Sequence, residues 1–283
     1  MSRTPLFLVR TLILPALMAC GAAQASAECP EAAGIVSMAY PGSTAPDAQG
    51  HIRLPDGSGV IELSNADYGA PFSVTCKAWP ANPDLLLAAV PLMQDGPDPN
   101  DGHEGDLDVL VLDRQTLQVR QQLRLPDLMS DDAVRITQVS FDTARYDVAP
   151  GQRAFGIRID REGASRANPF AQTSLRLFTI NGTELDLVLD GLMVNSSSGE
   201  WDTNCAGEFN ERAVSLAMGG AQGQGYRDII ATESHSASRA APQDGDCVER
   251  PINKGRTRHT LRFDGEQYRI PGPLRAMDAT PAG

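Results

Sequence analysis

Three dipeptides, Asp56-Gly57, Asn181-Gly182 and Asp264-Gly265, each fall between two runs in which apolar and polar residues alternate. Such pairs take up positive φ at low steric cost, which a tight hairpin turn demands, and the arms of a hairpin carry a period of two. HIRLPDGSGVIEL, LRLFTINGTELDLVL and HTLRFDGEQYRI obey this rule. LDVLVLDRQTLQVRQQLRL has the same arm-turn-arm form without a glycine. Little helical periodicity competes with it, so the chain reads as all-β.

Three of these hairpins follow similar material. A β-like run (FSVTCKA, VRITQVSF or RAVSLAM) leads to a second (DLLLAAV, RAFGIRID or YRDIIATE), then a loop, then the hairpin. The expectation is a repeated four-stranded antiparallel meander, propeller-like, with a β-sandwich as the alternative. A single β-rich domain is expected over residues 28–271. The Pro/Ala/Gly-rich ends at 41–50 and 272–283 read as mobile.

The first 27 residues have the build of an export signal. Arg3 and Arg10 give a positive start, TLILPALMA is a short apolar run, and Ala25-Ser26-Ala27 offers the small residues of a cleavage site. Alternatively, Leu17-Met18-Ala19-Cys20 resembles a lipobox, which would place a lipid anchor on Cys20. Soluble export to the periplasm is preferred, because Met18 fits its lipobox position poorly. No later stretch reaches the ~20 apolar residues of a membrane-spanning helix.

After cleavage four cysteines are available for pairing: Cys29, Cys76, Cys205 and Cys247. An even count in an oxidising compartment argues for two disulfides. Cys29–Cys76 and Cys205–Cys247 are preferred among the three connectivities, since each closes a loop inside its own half. Each closure is worth at most about 4 kcal/mol in the chain-entropy view. Cys205 sits among carboxylates in GEWDTNCAGEF, but no histidine lies near it in sequence to lower its pKa.

Removal of the signal takes away two arginines and no acid, so the formal net charge moves from −12 to −14. A surface this acidic repels phosphate backbones, which argues against nucleic acid as a partner. It suits a cationic partner, or simple solubility.

Gly225-Tyr226-Arg227-Asp228-Ile229-Ile230 and Gly105-Asp106-Leu107-Asp108-Val109-Leu110 resemble the strand entry of FG-GAP-type propeller repeats. In that family a Gly and an Asp precede an apolar strand after an Asp-rich calcium loop. The resemblance implies a propeller. FGIRIDREGASRANPF through GEWDTNCAGEF is also similar to exported bacterial proteins that carry no assigned function. Independently, the loop QDGPDPNDGHEGDLD gathers hard oxygens, so Asp95, Asp98, Asn100, Asp101 and Asp106 are candidate calcium ligands. Gly102 falls one place early for an EF-hand.

Other chemistry is thinly represented. His51, His103, His235 and His259 form no HxH or HExxH pair, and no GxSxG elbow is present. SSSGEW at 196–201 reads as a polar turn. Trp201, with Arg166 and Phe170 in the loop GASRANPFAQTS, is the candidate binding group. The function expected is that of an exported, non-enzymatic binding module of the bacterial envelope, meeting a protein or small ligand through loops 91–106, 161–173 and 233–257. A hydrolase of envelope polymers or lipids, or an immunity-type inhibitor of a cationic toxin, are the alternatives.

Overall fold

The structure is a computed structural model that describes residues 29–63, 71–94, 102–221 and 225–280. The expected export signal, Cys20, and the calcium candidates Asp95, Asp98, Asn100 and Asp101 lie outside them. The chain is all-β, in two antiparallel sheets of six and seven strands.

The first sheet holds β1 (His51–Arg53), β2 (Val60–Glu62), β3 (Thr75–Ala78), β4 (Leu85–Met93), β5 (Gly105–Asp113) and β6 (Val119–Leu125). β4 pairs with β5 along one edge, while β2 and β3 share the other. The run LLLAAVPLM has apolar residues at both parities, so β4 can be covered on both faces, and it is. Leu86, Ala88 and Val90 pack toward a helix, α1 (Ala32–Ala39), through Ile35 and Val36. Leu87 and Ala89 face the other way, into the second sheet. Burying each such leucine is worth about 1.5–3 kcal/mol. Alternation gave no hint of α1. It docks because Ile35 and Val36 find the apolar face of β4, and the Cys29–Cys76 disulfide ties its start to β3.

The second sheet is one continuous meander: β7 (Val134–Ala149), β8 (Gln152–Gly163), β9 (Phe170–Asn181), β10 (Glu184–Trp201), β11 (Gly207–Ala221), β12 (Arg227–Gln243) and β13 (Asp246–Leu261). Between the sheets Phe155 stacks on Phe178, with ring centroids 5.4 Å apart, and Trp79 meets Phe155 edge-on at 5.6 Å.

The expected four-stranded units therefore merge. Strands of 12 to 18 residues run past the inter-sheet core, so each pairs with the next instead of closing a short blade. β10 carries register shifts between Leu187 and Asn195, and Gly191 adopts φ +71° within them. Bulges bend a strand and raise its local twist. The sheet curls accordingly, until Cα atoms of β11 and β12 come within 8 Å of β7.

Three sequence readings need correction. SSSGEW is the end of β10, paired with β11 from Asn195 to Trp201. Residues 233–257, read as a loop, are almost wholly β12 and β13. Both stretches are polar because little packs against them, so no apolar alternation marks them as strands. In HTLRFDGEQYRI, β13 ends at Leu261, and only an isolated bridge from Phe263 to Tyr268 spans the Asp264-Gly265 turn.

Residues 272–280, marked by composition as a mobile end, lie against β10. Leu274 is buried, Ala276 N–H donates to the Gly191 carbonyl at 2.8 Å, and a Cβ on Gly191 would meet Ala279 at 2.4 Å. Glycine at 191 is thus needed for both its φ and this close approach.

Candidate functional site

Strand register assembles a polar surface that no single segment displays. Asp160, Thr173, Asn195, Ala213, Ser234 and Arg256 lie opposite one another, strand after strand, from β8 to β13. Two residues along, Glu162, Ala171, Ser197, Glu211, Ser236 and Lys254 form a second such row. Residues two apart share a face, so both rows look the same way. With Thr137 of β7 they line a cavity of about 1070 Å³ on the curled sheet.

The intervening row, Arg161, Gln172, Ser196, Arg212, His235 and Gly255, also contributes to the cavity wall, but three of its side chains are engaged elsewhere. Arg161 donates to the Leu128 and Ser130 carbonyls at 3.0 and 3.1 Å. Gln172 accepts the Met277 N–H at 2.8 Å, and Arg212 reaches the Pro273 carbonyl at 3.5 Å.

The trough is electrically lopsided. Its floor offers hydroxyls and an amide from Thr173, Asn195, Ser197, Ser234 and Ser236. At the β8 edge stand Asp160, which accepts the Thr173 hydroxyl at 2.5 Å, and Glu162. At the β13 edge stand Lys254 and Arg256, with Arg258 two residues further on, opposite Thr232. Arg256 Nε contacts Ser234 Oγ at 3.3 Å.

One end of the trough opens into a second cavity, of about 690 Å³, which shares Thr137, Glu162, Ala171 and Ser197 with the first. Here the three binding candidates Trp201, Arg166 and Phe170 come together, joined by Phe209. The loop before β9 is held to β10 by Trp201 N–H to Ala167 O at 2.7 Å and Gly199 N–H to Pro169 O at 3.0 Å.

The opening of GEWDTNC is explained by turn geometry. The Asp202 carboxylate accepts the Asn204 and Cys205 N–H groups, and these hydrogen bonds hold its pKa below the usual value. The turn presents Cys205 to Cys247, and the two form a disulfide, as Cys29 and Cys76 do. Two disulfides fit an oxidising, non-cytoplasmic compartment. No described helix is long and apolar enough to cross a membrane.

A separate centre lies under the C-terminal segment. Arg176, 2% exposed, places Nε 2.8 Å from Asp190 and Nη1 3.3 Å from Asp278, and donates to the Asp278 carbonyl as well. Ser174 donates to the same Asp278 carboxylate at 2.8 Å, and Arg161 approaches it at 3.4 Å. This cluster joins the wall of a cavity of about 1020 Å³ that also reaches His103 and Asp131, which are 2.7 Å apart. Each of these charges has an opposite charge beside it, as buried ions require.

Asp106, the one calcium candidate within the described residues, accepts the Asp127 N–H at 3.0 Å and lies 4.0 Å from Arg124. Its neighbour Asp108 is fully buried and holds Arg124 at 2.8 Å, Gln122 at 2.8 Å and the Tyr40 hydroxyl at 2.8 Å. Burial and the Asp108 charge push the Tyr40 pKa well up, so it stays a proton donor. Among the described residues, metal-ligating atoms come within reach of one another at Cys29, Glu31 and Cys76. Two of those sulfurs are joined to each other, which leaves no thiolate for a metal there.

Sequence reading missed the cation row on β13. Its signal was available: Lys254, Arg256 and Arg258 in NKGRTRH repeat at a period of two, the spacing that puts them on one strand face.

Comparison of the chain with models of known families, with curated proteins and with solved structures yields no match.

Proposed function

We propose that this is an exported, non-enzymatic binding protein of the bacterial envelope whose trough receives an extended polar ligand. One observation carries the reading: six successive strands, β8 to β13, contribute side chains to one polar cavity of about 1070 Å³. Beside Ala171, Ala213 and Glu211, its floor carries short hydroxyl and amide side chains, which lose little rotamer freedom when they form hydrogen bonds to a ligand. The stiff ladder beneath fixes their spacing in advance, and preorganisation of that kind favours binding. The export signal and the two disulfides support a location outside the cytoplasm.

The test is a calorimetric and thermal-shift screen of the disulfide-bonded mature protein against oligosaccharides, polyols and short peptides. Ala213→Trp, which fills the middle of the floor from an exposed strand position, serves as the blocked variant. The expected outcome is a ligand that raises the melting temperature of the parent and leaves Ala213→Trp unmoved. A ligand bound equally by both proteins, or no ligand among those classes, would count against the trough.

A further inference from the structure

Lys254, Arg256 and Arg258 occupy alternate positions of β13, so their charges follow one another on one face at intervals of about 6.8 Å. This row stands on a protein whose formal net charge is −12. Among the described residues no carboxylate is paired with any of the three; Arg256 has the Ser234 hydroxyl as its partner. Like charges so close repel, and β13 is an edge strand with little packed on it to offset that. A row of unpaired cations calls for an anionic ligand, whatever else the trough holds.

The rest of the trough narrows the class. Next to the cations, the β12 positions opposite them are Ser236, Ser234 and Thr232, which can donate and accept. At the far edge Asp160 and Glu162 accept only, so they ask for hydroxyl or amine donors on the ligand. At the end of the trough Trp201 and Phe209 offer flat apolar faces beside this polar floor. Anionic groups, many hydroxyl donors and a ring with an apolar face occur together in a sugar acid.

We propose that the trough binds an acidic polysaccharide, with its anionic groups on Lys254, Arg256 and Arg258 and its hydroxyls on the floor and on Asp160 and Glu162. This rests on the trough being the binding site. A polyphosphate would satisfy the cations but has no donors for Asp160 and Glu162, which would repel it. An acidic peptide would match the charges but has few hydroxyls for the Ser/Thr rows.

The test is calorimetry on the disulfide-bonded mature protein with four probes: an oligogalacturonate, a neutral dextran oligomer, polyphosphate and poly-glutamate. The expected result is that oligogalacturonate binds roughly tenfold or more tighter than dextran, and that its affinity falls as salt rises. Replacing all three cations (Lys254→Gln, Arg256→Gln, Arg258→Gln) is expected to weaken that binding roughly tenfold or more. These positions are exposed, so circular dichroism and the melting curve are expected to stay unchanged, which separates lost binding from lost fold. Asp160→Asn with Glu162→Gln is expected to weaken oligogalacturonate and to strengthen polyphosphate.

Several outcomes would overturn the proposal. Dextran bound as tightly as oligogalacturonate would remove the role of charge and leave the trough standing. Polyphosphate or poly-glutamate bound as tightly would remove the sugar. Acidic sugar binding that survives both the cation changes and Ala213→Trp would remove the site itself. Failure of oligogalacturonate to bind at all would end the proposal, while the broader ligand screen would still decide the fate of the trough.

Discussion

β4 and β13 are both antiparallel strands, yet they are opposites in chemistry. β4 is buried along almost its whole length between α1 and the second sheet, and leucine, alanine and valine fill it. β13 is exposed along most of its length, and most of its residues are charged or polar. The first strand is held by burial of apolar surface, which needs neighbours on both faces. The second is held by its backbone ladder to β12, by the Cys205–Cys247 bond, and by burial only at its Leu261 end. A strand of the second kind is free to spend its side chains on recognition.

Breaking the buried ion-pair centre between β9, β10 and the C-terminal segment is expected to have the largest effect. Asp278→Ala leaves Arg176 buried with one partner fewer, and removing one member of a buried ion pair costs about 3–5 kcal/mol. Chemical denaturation should show this as a lower midpoint, and the C-terminal segment should lose protection in hydrogen exchange. An unchanged midpoint would mean that residues 272–280 do not fasten β10.

Leu87→Ala strikes the doubly covered strand. A fully buried leucine lost from such a core costs about 2–5 kcal/mol, chiefly through the cavity left behind. The loss should be global, lowering protection in β4, β5 and β8 alike. A comparable loss confined to β4 and β5 would show that the two sheets do not unfold together.

Cys205→Ala with Cys247→Ala strikes the exposed region. The loop it opens spans 42 residues, and the cost is about 2–4 kcal/mol in the chain-entropy view. Here exchange should rise first at residues 205–210 and 238–250, while β4 stays protected. Uniform loss across both sheets would contradict the separation of the two regions.

A smaller effect depends on pH. Burial of Asp142 would by itself raise its pKa. The Ala144 N–H, the Arg158 guanidinium and the Tyr146 hydroxyl outweigh that and hold the carboxyl below its ordinary value. A depressed folded pKa stabilises the protein above the unfolded pKa of about 3.9 and is lost as pH falls through the folded value. Asp142→Asn should therefore lower stability at neutral pH and narrow the gap to the parent below about pH 4. A gap that stays constant down to pH 2 would show that this carboxylate does not set the acid limb.

Legibility in the sequence followed the same division. Alternation around Asp56-Gly57 and Asn181-Gly182 marked β1, β2, β9 and β10, although β9 is buried on both faces from Ser174 to Thr179. The runs DLLLAAV and RAFGIRID marked β4 and β8. Residues 233–257 gave no such mark, since their side chains are mostly polar and no hydrophobic period runs along them. Trp201, Arg166 and Phe170 could be singled out as residue types, but their meeting in one cavity depends on the pairing of β8 with β9 and β10. The period of two in Lys254, Arg256 and Arg258 was visible, but it points to one face only once the segment is known to be a strand.

By itself, the sequence determined that the chain is β-rich and where its apolar strands and tight turns fall, and loop closure favoured two local cysteine pairs among three possible connectivities. Each of these follows from short-range rules: side-chain periodicity, the positive φ of Asn-Gly and Asp-Gly, and loop closure. Tertiary structure alone decided that the hairpins join into one seven-stranded sheet, that β10 bends at Gly191, and that rows far apart in sequence share one trough. Those features arise from register and curl across strands, and a linear chain does not display either until its strands have paired.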